Sequence, residues 1–149
     1  MLPLALHLEN RCVLVVGGGA VAARRCRSLV DAGAQVTVVA PEVGGGVLAL
    51  AQAGQIEWVQ RAFAPADVDA AWLVFALTDS EDVQQRIARM CDEKKVWCSV
   101  GGQPQASSFW SMAHTRYEGV TVAVSAGGNP HLAKRLKERL GQWLAGELA

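Results

Sequence analysis

The chain has 149 residues, about the size of one ordinary domain, and 51% of them are hydrophobic, which is enough apolar mass for a core. Its 14 basic and 14 acidic residues balance, so the sequence lacks the basic excess of a nucleic-acid-binding domain. It has neither a transmembrane-length apolar run nor the basic start of a signal peptide, so we expect a cytoplasmic protein without membrane contacts.

The first third of the chain has the pattern of a strand, a helix and a second strand. Residues 12–16 are uniformly apolar and end at glycines, as in a central parallel strand. Apolar residues recur at helical spacing over 19–32, and Gly33 follows where a helix commonly ends. A second strand is predicted over 35–40, which completes one βαβ unit.

The middle of the chain continues this alternation. A short helix around residues 47–51 is stopped by Gly54, and Thr78 with Glu81 fits the capping box of a longer helix. The buried face of that longer helix is predicted to carry Val83, Ile87, Met90 and Cys91. Further strands are predicted over 56–59, 72–76 and 96–100.

The last third has a different pattern. Two strands over 107–117 and 120–126, joined at Glu118-Gly119, predict a hairpin. Asn129 and Pro130 suit the cap and first position of a helix in which leucines recur at every fourth residue from 132 to 144. The predicted fold class is therefore α/β, a Rossmann-like doubly wound parallel sheet with a C-terminal β-hairpin and helix.

A glycine-rich loop connects the first predicted strand to the first helix. Read as G-x-G-x-x-A, Gly17 makes the tight turn, Gly19 lets the backbone approach a pyrophosphate, and Ala22 allows close packing of helix on strand. The helix amides would attract phosphate. In this context the motif predicts dinucleotide binding, and a glycine turn that binds nothing is the alternative.

The choice of cofactor depends on the end of the second strand. The acidic residue that usually holds the ribose there is absent, and Glu42 after Pro41 is the nearest candidate, with a solvated loop charge as the alternative. Because no arginine follows closely to hold a 2′-phosphate, NAD is favoured over NADP. The four cysteines lack metal-ligand spacing, so we expect buried free thiols and no metal site.

Several segments, spread over nearly the whole chain, form a recognisable set of motifs in a fixed order. They are Leu2-Pro3-Leu4, residues 15–25 with the triple glycine, 33–42, Trp72-Leu73-Val74, Thr78-Asp79, Ser108-Phe109, 122–128 and 132–140. With these motifs the chain resembles precorrin-2 dehydrogenase, the N-terminal part of siroheme synthase.

The resemblance implies an NAD-dependent oxidation of precorrin-2 to sirohydrochlorin, to which some members add iron insertion. It implies a homodimer formed largely by the terminal hairpin and helix, so we divide the chain into an NAD-binding domain, 1–106, and a dimerisation region, 107–149. We assign the cofactor to eight residues, of which Thr78 is expected near the nicotinamide. These are Gly17, Gly18, Gly19, Ala20, Val21, Pro41, Glu42 and Thr78.

One departure from the family bears on catalysis. The aspartate thought to handle protons and metal aligns with Gly102, which has no side chain to do either. Losing a general base typically costs ~10²–10⁴-fold in rate, so oxidation can survive while iron insertion is not expected. No catalytic residue is therefore assigned. His114 and His131 are candidates for proton transfer, with exposed or capping histidines as the alternative.

The substrate carries many carboxylates, so a local cationic cluster is needed to bind it. Ordinary surface charge, which we favour for Arg27 and Lys137, is the alternative for each basic candidate, and a structural role is the alternative for Ser108. The substrate-binding candidates are Arg24, Arg25, Ser108, Arg116 and Lys134.

Three functions are compatible with these patterns. The first is the dehydrogenase, and the second is a catalytically degenerate module that holds NAD or a tetrapyrrole as a carrier or sensor. Gly102, which replaces the family's aspartate, is the feature that distinguishes these two functions. A nucleotide-sensing regulatory domain, the third, shares the Rossmann half but does not account for Phe109 or the 125–128 segment.

Overall fold

A computed structural model describes residues 2–148, which fall into two compact units. The first unit ends at Phe109 and the second begins at Trp110. The boundary predicted after residue 106 falls just before this point. Within the described residues, no helix combines the length and the hydropathy needed to cross a membrane.

The first unit is built on a parallel five-stranded sheet. Its strands are β1 (Cys12–Val16), β2 (Gln35–Val39), β3 (Glu57–Val59), β4 (Leu73–Ala76) and β5 (Trp97–Val100). The strand order is β3-β2-β1-β4-β5, so the chain starts at the centre, winds outward to β3 and then crosses back to β4. This is the predicted doubly wound α/β class, and the prediction is confirmed.

Three helices cover the two faces of this sheet: α1 (Ala20–Asp31), α2 (Gly45–Gln52) and α3 (Glu81–Glu93). Alternate strand residues point to opposite faces. Val13 and Val15 therefore pack with Cys26 of α1, while Leu14 and Val16 join Ile87 of α3 in a second cluster. Each buried aliphatic side chain contributes about 1.5–3 kcal/mol, which is why these strands are uniformly apolar.

The second unit is a hairpin followed by a helix. Strands β6 (Ala113–Tyr117) and β7 (Val120–Val124) pair antiparallel around Glu118 and Gly119, which both have positive φ, as a two-residue hairpin turn requires. Helix α4 (Pro130–Leu148) begins as predicted, because the Asn129 side chain accepts a hydrogen bond of 2.9 Å from the Leu132 amide.

The predicted capping box at Thr78 is wrong. Helix α3 is capped by Ser80, whose hydroxyl accepts a hydrogen bond from the Val83 amide. Ser80 is extended and immediately precedes the first helical residue, whereas the Thr78 hydroxyl accepts a hydrogen bond from the Ser80 amide in the preceding turn. Both residues can cap, and the nearer one does.

The predicted strand over 107–112 is also wrong. Pro104 opens a 3₁₀ turn, and the chain then returns along the edge of β5. The Ser107 hydroxyl accepts a hydrogen bond of 2.9 Å from the Val100 amide, and the Ser108 hydroxyl accepts one of 2.7 Å from the Cys98 amide. These contacts hold the segment on β5, and the hairpin starts only at residue 113. The second hairpin strand likewise ends at 124, two residues before the predicted 126.

The cysteine prediction holds for three of the four residues. Cys26, Cys91 and Cys98 are buried, but Cys12, the first residue of β1, is exposed. Burial raises the pKa of the Cys26 thiol to about 11, so this group is protonated at neutral pH. Within the described chain, no three His, Cys, Asp or Glu residues are placed to hold a metal ion together.

Candidate functional site

The candidate site lies where β1 and β4 end side by side. The chain leaves β1 through α1 toward one side of the sheet and leaves β4 through α3 toward the other, which opens a crevice at their carboxyl ends. Ligands of doubly wound sheets bind at such a switch point.

Two of the three loop glycines are enclosed by neighbouring backbone. Gly17 has a φ of +119°, and a Cβ added there would lie 2.5 Å from the Leu77 carbonyl oxygen. A Cβ on Gly18 would lie 2.4 Å from the Glu42 carbonyl oxygen. No real Cβ approaches so closely, so these positions require glycine for the fold itself.

Gly19 differs from both, because a Cβ added there would meet nothing within 4 Å. This glycine precedes α1, and no side chain caps the helix or places an acid in its first turn. Ala20 and Val21 are exposed, and their amides, at the first two positions of the helix, have no partner within it. Ala22 is fully buried against the sheet, as predicted. A bare, open helix start of this kind fits a diphosphate.

Helix α2 begins in the same way beside the loop. Gly44 provides no side-chain cap, no acid follows in the first turn, and the Gly44 amide donates a hydrogen bond of 2.9 Å to the Gly18 carbonyl. Pro41 and Glu42, which lead into this helix, are both exposed. Glu42 forms no ion pair with another described residue, so its carboxylate is available to a ligand.

The other wall of the crevice is held by a buried glutamine that the sequence analysis missed. Gln84 of α3 is 6% exposed and is the only buried polar residue among those described. Its amide nitrogen donates to the Thr78 carbonyl at 2.7 Å and to the Ala76 carbonyl at 3.4 Å, and its oxygen accepts from the Gln103 side chain at 3.1 Å. We call Gln84 and Gln103 the glutamine clasp. A polar residue on the same helix face as Ile87 and Cys91 was the available signal.

Gly102 lies next to the clasp, in the turn after β5. Its φ is +73°, it is exposed, and a Cβ added there would meet nothing within 4 Å. The position therefore has room for a side chain at the crevice wall but offers none. Gly101 beside it is enclosed, because its Cβ would lie 3.2 Å from the Leu77 side chain and 3.5 Å from the Gln84 amide.

The substrate-binding candidates divide between the two units. In the first unit, Arg24 is exposed, Arg25 is half-buried over the Phe75 ring, and the Ser108 hydroxyl is engaged with β5. Burial, and secondarily the charge of Arg24, lowers the pKa of Arg25.

The other predicted residues lie in the second unit. Arg116 of β6 donates to the Thr121 hydroxyl at 3.2 Å, and Lys134 of α4 is exposed. His114 in β6 and His131 in α4 are exposed. Of the predicted residues, the crevice of the first unit brings together the glycine loop, Glu42, Thr78 and Gly102. The roles of the remaining residues stay predictions.

Comparisons with known proteins identify relatives over most of the chain. Residues 4–113 match a family described as "Putative NAD(P)-binding". Siroheme synthase 3 of Aeromonas hydrophila is 41% identical and siroheme synthase 1 of Aeromonas salmonicida 39% identical, each over 140 residues that cover 93% of this chain. The chain spans about 30% of the length of these relatives.

A solved structure has a similar fold over nearly the whole length of this chain. It is SirC, described as precorrin-2 dehydrogenase, with a TM-score of 0.79 and 26% identity. The match covers 95% of this chain and 70% of that one.

Proposed function

Since this chain belongs to the NAD(P)-binding family that residues 4–113 match, we propose that it is a precorrin-2 dehydrogenase domain, which oxidises precorrin-2 to sirohydrochlorin with NAD. The observation that carries the proposal is the start of α1 directly after Gly19. It has no side-chain cap, has open space at Gly19, and lies at the switch point of the sheet. The likeness to siroheme synthases and to SirC supports the choice of reaction.

The cofactor would be held by three groups of residues. Gly17, Gly18 and Gly19 form the loop, and the Ala20 and Val21 amides would bind the diphosphate. Pro41 and Glu42 would border the adenosine ribose, where a carboxylate accepts hydrogen bonds from the hydroxyls and repels a 2′-phosphate. We therefore propose NAD rather than NADP. Thr78, held through its carbonyl by Gln84, would border the nicotinamide.

Binding of the substrate would depend on cations, because precorrin-2 carries many carboxylates. We propose that Arg24, Arg25 and Ser108 of the first unit contribute to its binding, together with Arg116 and Lys134 of the second. A homodimer formed by the hairpin and α4 would complete the enzyme. Because NAD is an intracellular cofactor, we expect the protein to act in the cytoplasm.

Proton handling would be limited in this domain. When bound, NAD would supply the acceptor for the hydride, and position 102 offers no acid or base to take the accompanying proton, which water can accept. Oxidation without a positioned base is slower by ~10²–10⁴-fold but remains feasible. Iron insertion needs a group that takes pyrrole protons or binds the metal. We therefore propose oxidation without iron insertion, with His114 and His131 as candidates for assisting proton transfer.

The decisive experiment incubates the protein with precorrin-2 and NAD and follows the absorbance of sirohydrochlorin and of NADH. We expect both products in equal amounts, with NAD effective at lower concentration than NADP. Glu42→Gln should reduce the difference between the concentrations of NAD and NADP that the enzyme requires. Absence of product at high protein concentration would exclude the dehydrogenase.

Gly102 supports a second candidate, a module that binds NAD or a tetrapyrrole without turnover. Calorimetric titration with NAD distinguishes the two candidates when combined with the activity assay. Binding without product formation would establish the module, and binding with product formation would exclude it.

A further inference from the structure

Arg25 is a partly buried cation that forms no ion pair with another described residue. Its guanidinium carbon lies 4.8 Å from the centre of the Phe75 ring, and its Nε atom is buried without a hydrogen-bond partner. Among the residues that the structure describes, ion pairs join Arg61 to Asp67 and Lys94 to Asp69, and Arg25 takes part in neither.

This arrangement is unfavourable unless an anion completes it. A guanidinium withdrawn from water loses hydration, and a cation–π contact replaces only part of it. Arg61 is compensated by a bidentate contact with Asp67, and Arg11, which stacks on Trp72, is exposed. Arg25 is partly buried and has the ring contact, but no carboxylate of the described residues pairs with it.

The surroundings of Arg25 suit a planar apolar ligand that carries acidic groups. Phe75 packs edge-to-face against Phe109 with ring centres 5.3 Å apart, and Trp97, 45% exposed, lies 6.3 Å from Phe109. The guanidinium therefore lies at one end of an aromatic row over β4 and β5. The diphosphate cradle behind Gly19 follows β1 instead.

We propose that Arg25 binds a carboxylate of the tetrapyrrole substrate while the aromatic row contacts the macrocycle. This inference rests on the proposed function and assigns one anchoring residue within it. An arginine fork suits phosphate as well as carboxylate, so the cofactor is the other possible source of the anion. The contact of the Arg25 guanidinium is with Phe75 of β4 and not with the glycine loop, which favours the substrate.

The test compares Arg25→Met with Arg27→Met, which removes an exposed arginine from the same helix. Uroporphyrin, a stable tetrapyrrole octacarboxylate, is titrated by fluorescence, and NAD is titrated by calorimetry. We expect Arg25→Met to weaken uroporphyrin binding by about 10- to 100-fold and to leave the NAD dissociation constant unchanged. Arg27→Met should change neither.

Stability provides an independent measurement. Methionine keeps the packing of the stem and removes an uncompensated charge, so the thermal midpoint of Arg25→Met should not fall. A lower midpoint with unchanged uroporphyrin binding would assign Arg25 a structural role and overturn the proposal. Arg25→Lys, which keeps the charge without the fork, should have intermediate affinity and serves if methionine prevents folding.

Three other results also decide the question. Weaker NAD binding with unchanged uroporphyrin binding would assign the anion to the cofactor and overturn the proposal. If wild type oxidises precorrin-2 and Arg25→Met has the same KM for it, the proposed binding role of Arg25 is overturned while the proposed function stands. If wild type has no activity and Arg25→Met still loses uroporphyrin binding, the role of Arg25 in binding a tetrapyrrole carboxylate is supported while the proposed function fails.

Discussion

The Gln103 side chain donates a hydrogen bond of 3.1 Å to the amide oxygen of Gln84, which joins the loop after β5 to the start of α3. Gln84 also donates to the Thr78 carbonyl after β4. A buried side chain thus fixes both loops on one wall of the crevice. Buried polar groups with complete hydrogen bonding hold their partners in a single arrangement.

Replacing Gln84 by leucine should loosen this wall. The Thr78 carbonyl and the Gln103 amide would lose their partner, so we expect a loss of about 1–3 kcal/mol in unfolding free energy and a higher KM for NAD. Denaturant titration and steady-state kinetics measure the two effects. The exposed neighbour provides the control, since Gln85→Leu should change neither. A KM for NAD that stays at the wild-type value would mean that the clasp serves stability alone.

Introducing an acid at position 102 should accelerate oxidation. The position has free space, and aspartate tolerates the positive φ at a cost of about 1 kcal/mol. We expect Gly102→Asp to raise kcat by ~10²-fold and to add a pH-dependent limb to the rate profile. Gly102→Asn has the same shape without the acid. Equal rates for the two variants would argue against proton transfer at this position.

Neighbouring glycines of the loop should respond differently to alanine. Gly18→Ala places a Cβ against the Glu42 carbonyl and should cost about 2 kcal/mol of stability. Gly19→Ala meets no protein atom, so we expect a stable variant with NAD affinity about 10-fold lower. Thermal unfolding and calorimetry separate the two effects. Full NAD affinity in Gly19→Ala would place the diphosphate elsewhere.

Much of the fold could be predicted from local pattern. The strands β1 and β4 are buried on both faces, so their sequences are continuously apolar, and the glycine loop between β1 and α1 follows a known backbone requirement. The resemblance to siroheme synthase, also predicted from the sequence, is confirmed by the relatives. For the strands and the loop, the sequence signal lies within a few adjacent residues, whereas the resemblance rests on motifs along nearly the whole chain.

The wrong strand prediction at 107–112 and the missed role of Gln84 have a different origin. Ser107 and Ser108 lie in a segment that the sequence predicts to be a strand, but their hydroxyls accept hydrogen bonds from the backbone of β5, which lies about ten residues earlier. Gln84 depends on partners in two further loops. Such contacts arise only when separate segments meet, so the local pattern can single out Gln84 as a polar residue on an apolar helix face but does not indicate its partners.

Stability at acid pH should depend on Asp67. The Arg61 guanidinium donates a hydrogen bond of 2.8 Å to this carboxylate and holds its pKa below the usual range. A lowered folded-state pKa gives stability that is present above the unfolded value, near 3.9, and is lost as pH falls through the folded value. Asp67→Asn should therefore have a lower thermal midpoint than wild type at pH 7.

The difference should disappear at lower pH. Melting curves recorded from neutral pH to below about pH 3 should show the wild type and Asp67→Asn converging as the carboxylate becomes protonated. Asp31→Asn removes an exposed carboxylate that forms no ion pair with a described residue, and it should follow the wild type throughout. A constant difference between wild type and Asp67→Asn would assign the effect to packing.

Helices α1 and α2 begin at bare glycines, whereas α3 begins at Ser80 with Glu81 and Asp82 in its first turn. The crevice thus has an electric polarity, with one rim that attracts anions and one that repels them. We therefore expect the proposed dinucleotide to bind with its phosphates at the bare helices and its cationic pyridinium ring toward the acidic rim. Reduction abolishes the charge of that ring, so the protein should retain NAD in preference to NADH, and rising ionic strength should erase the preference.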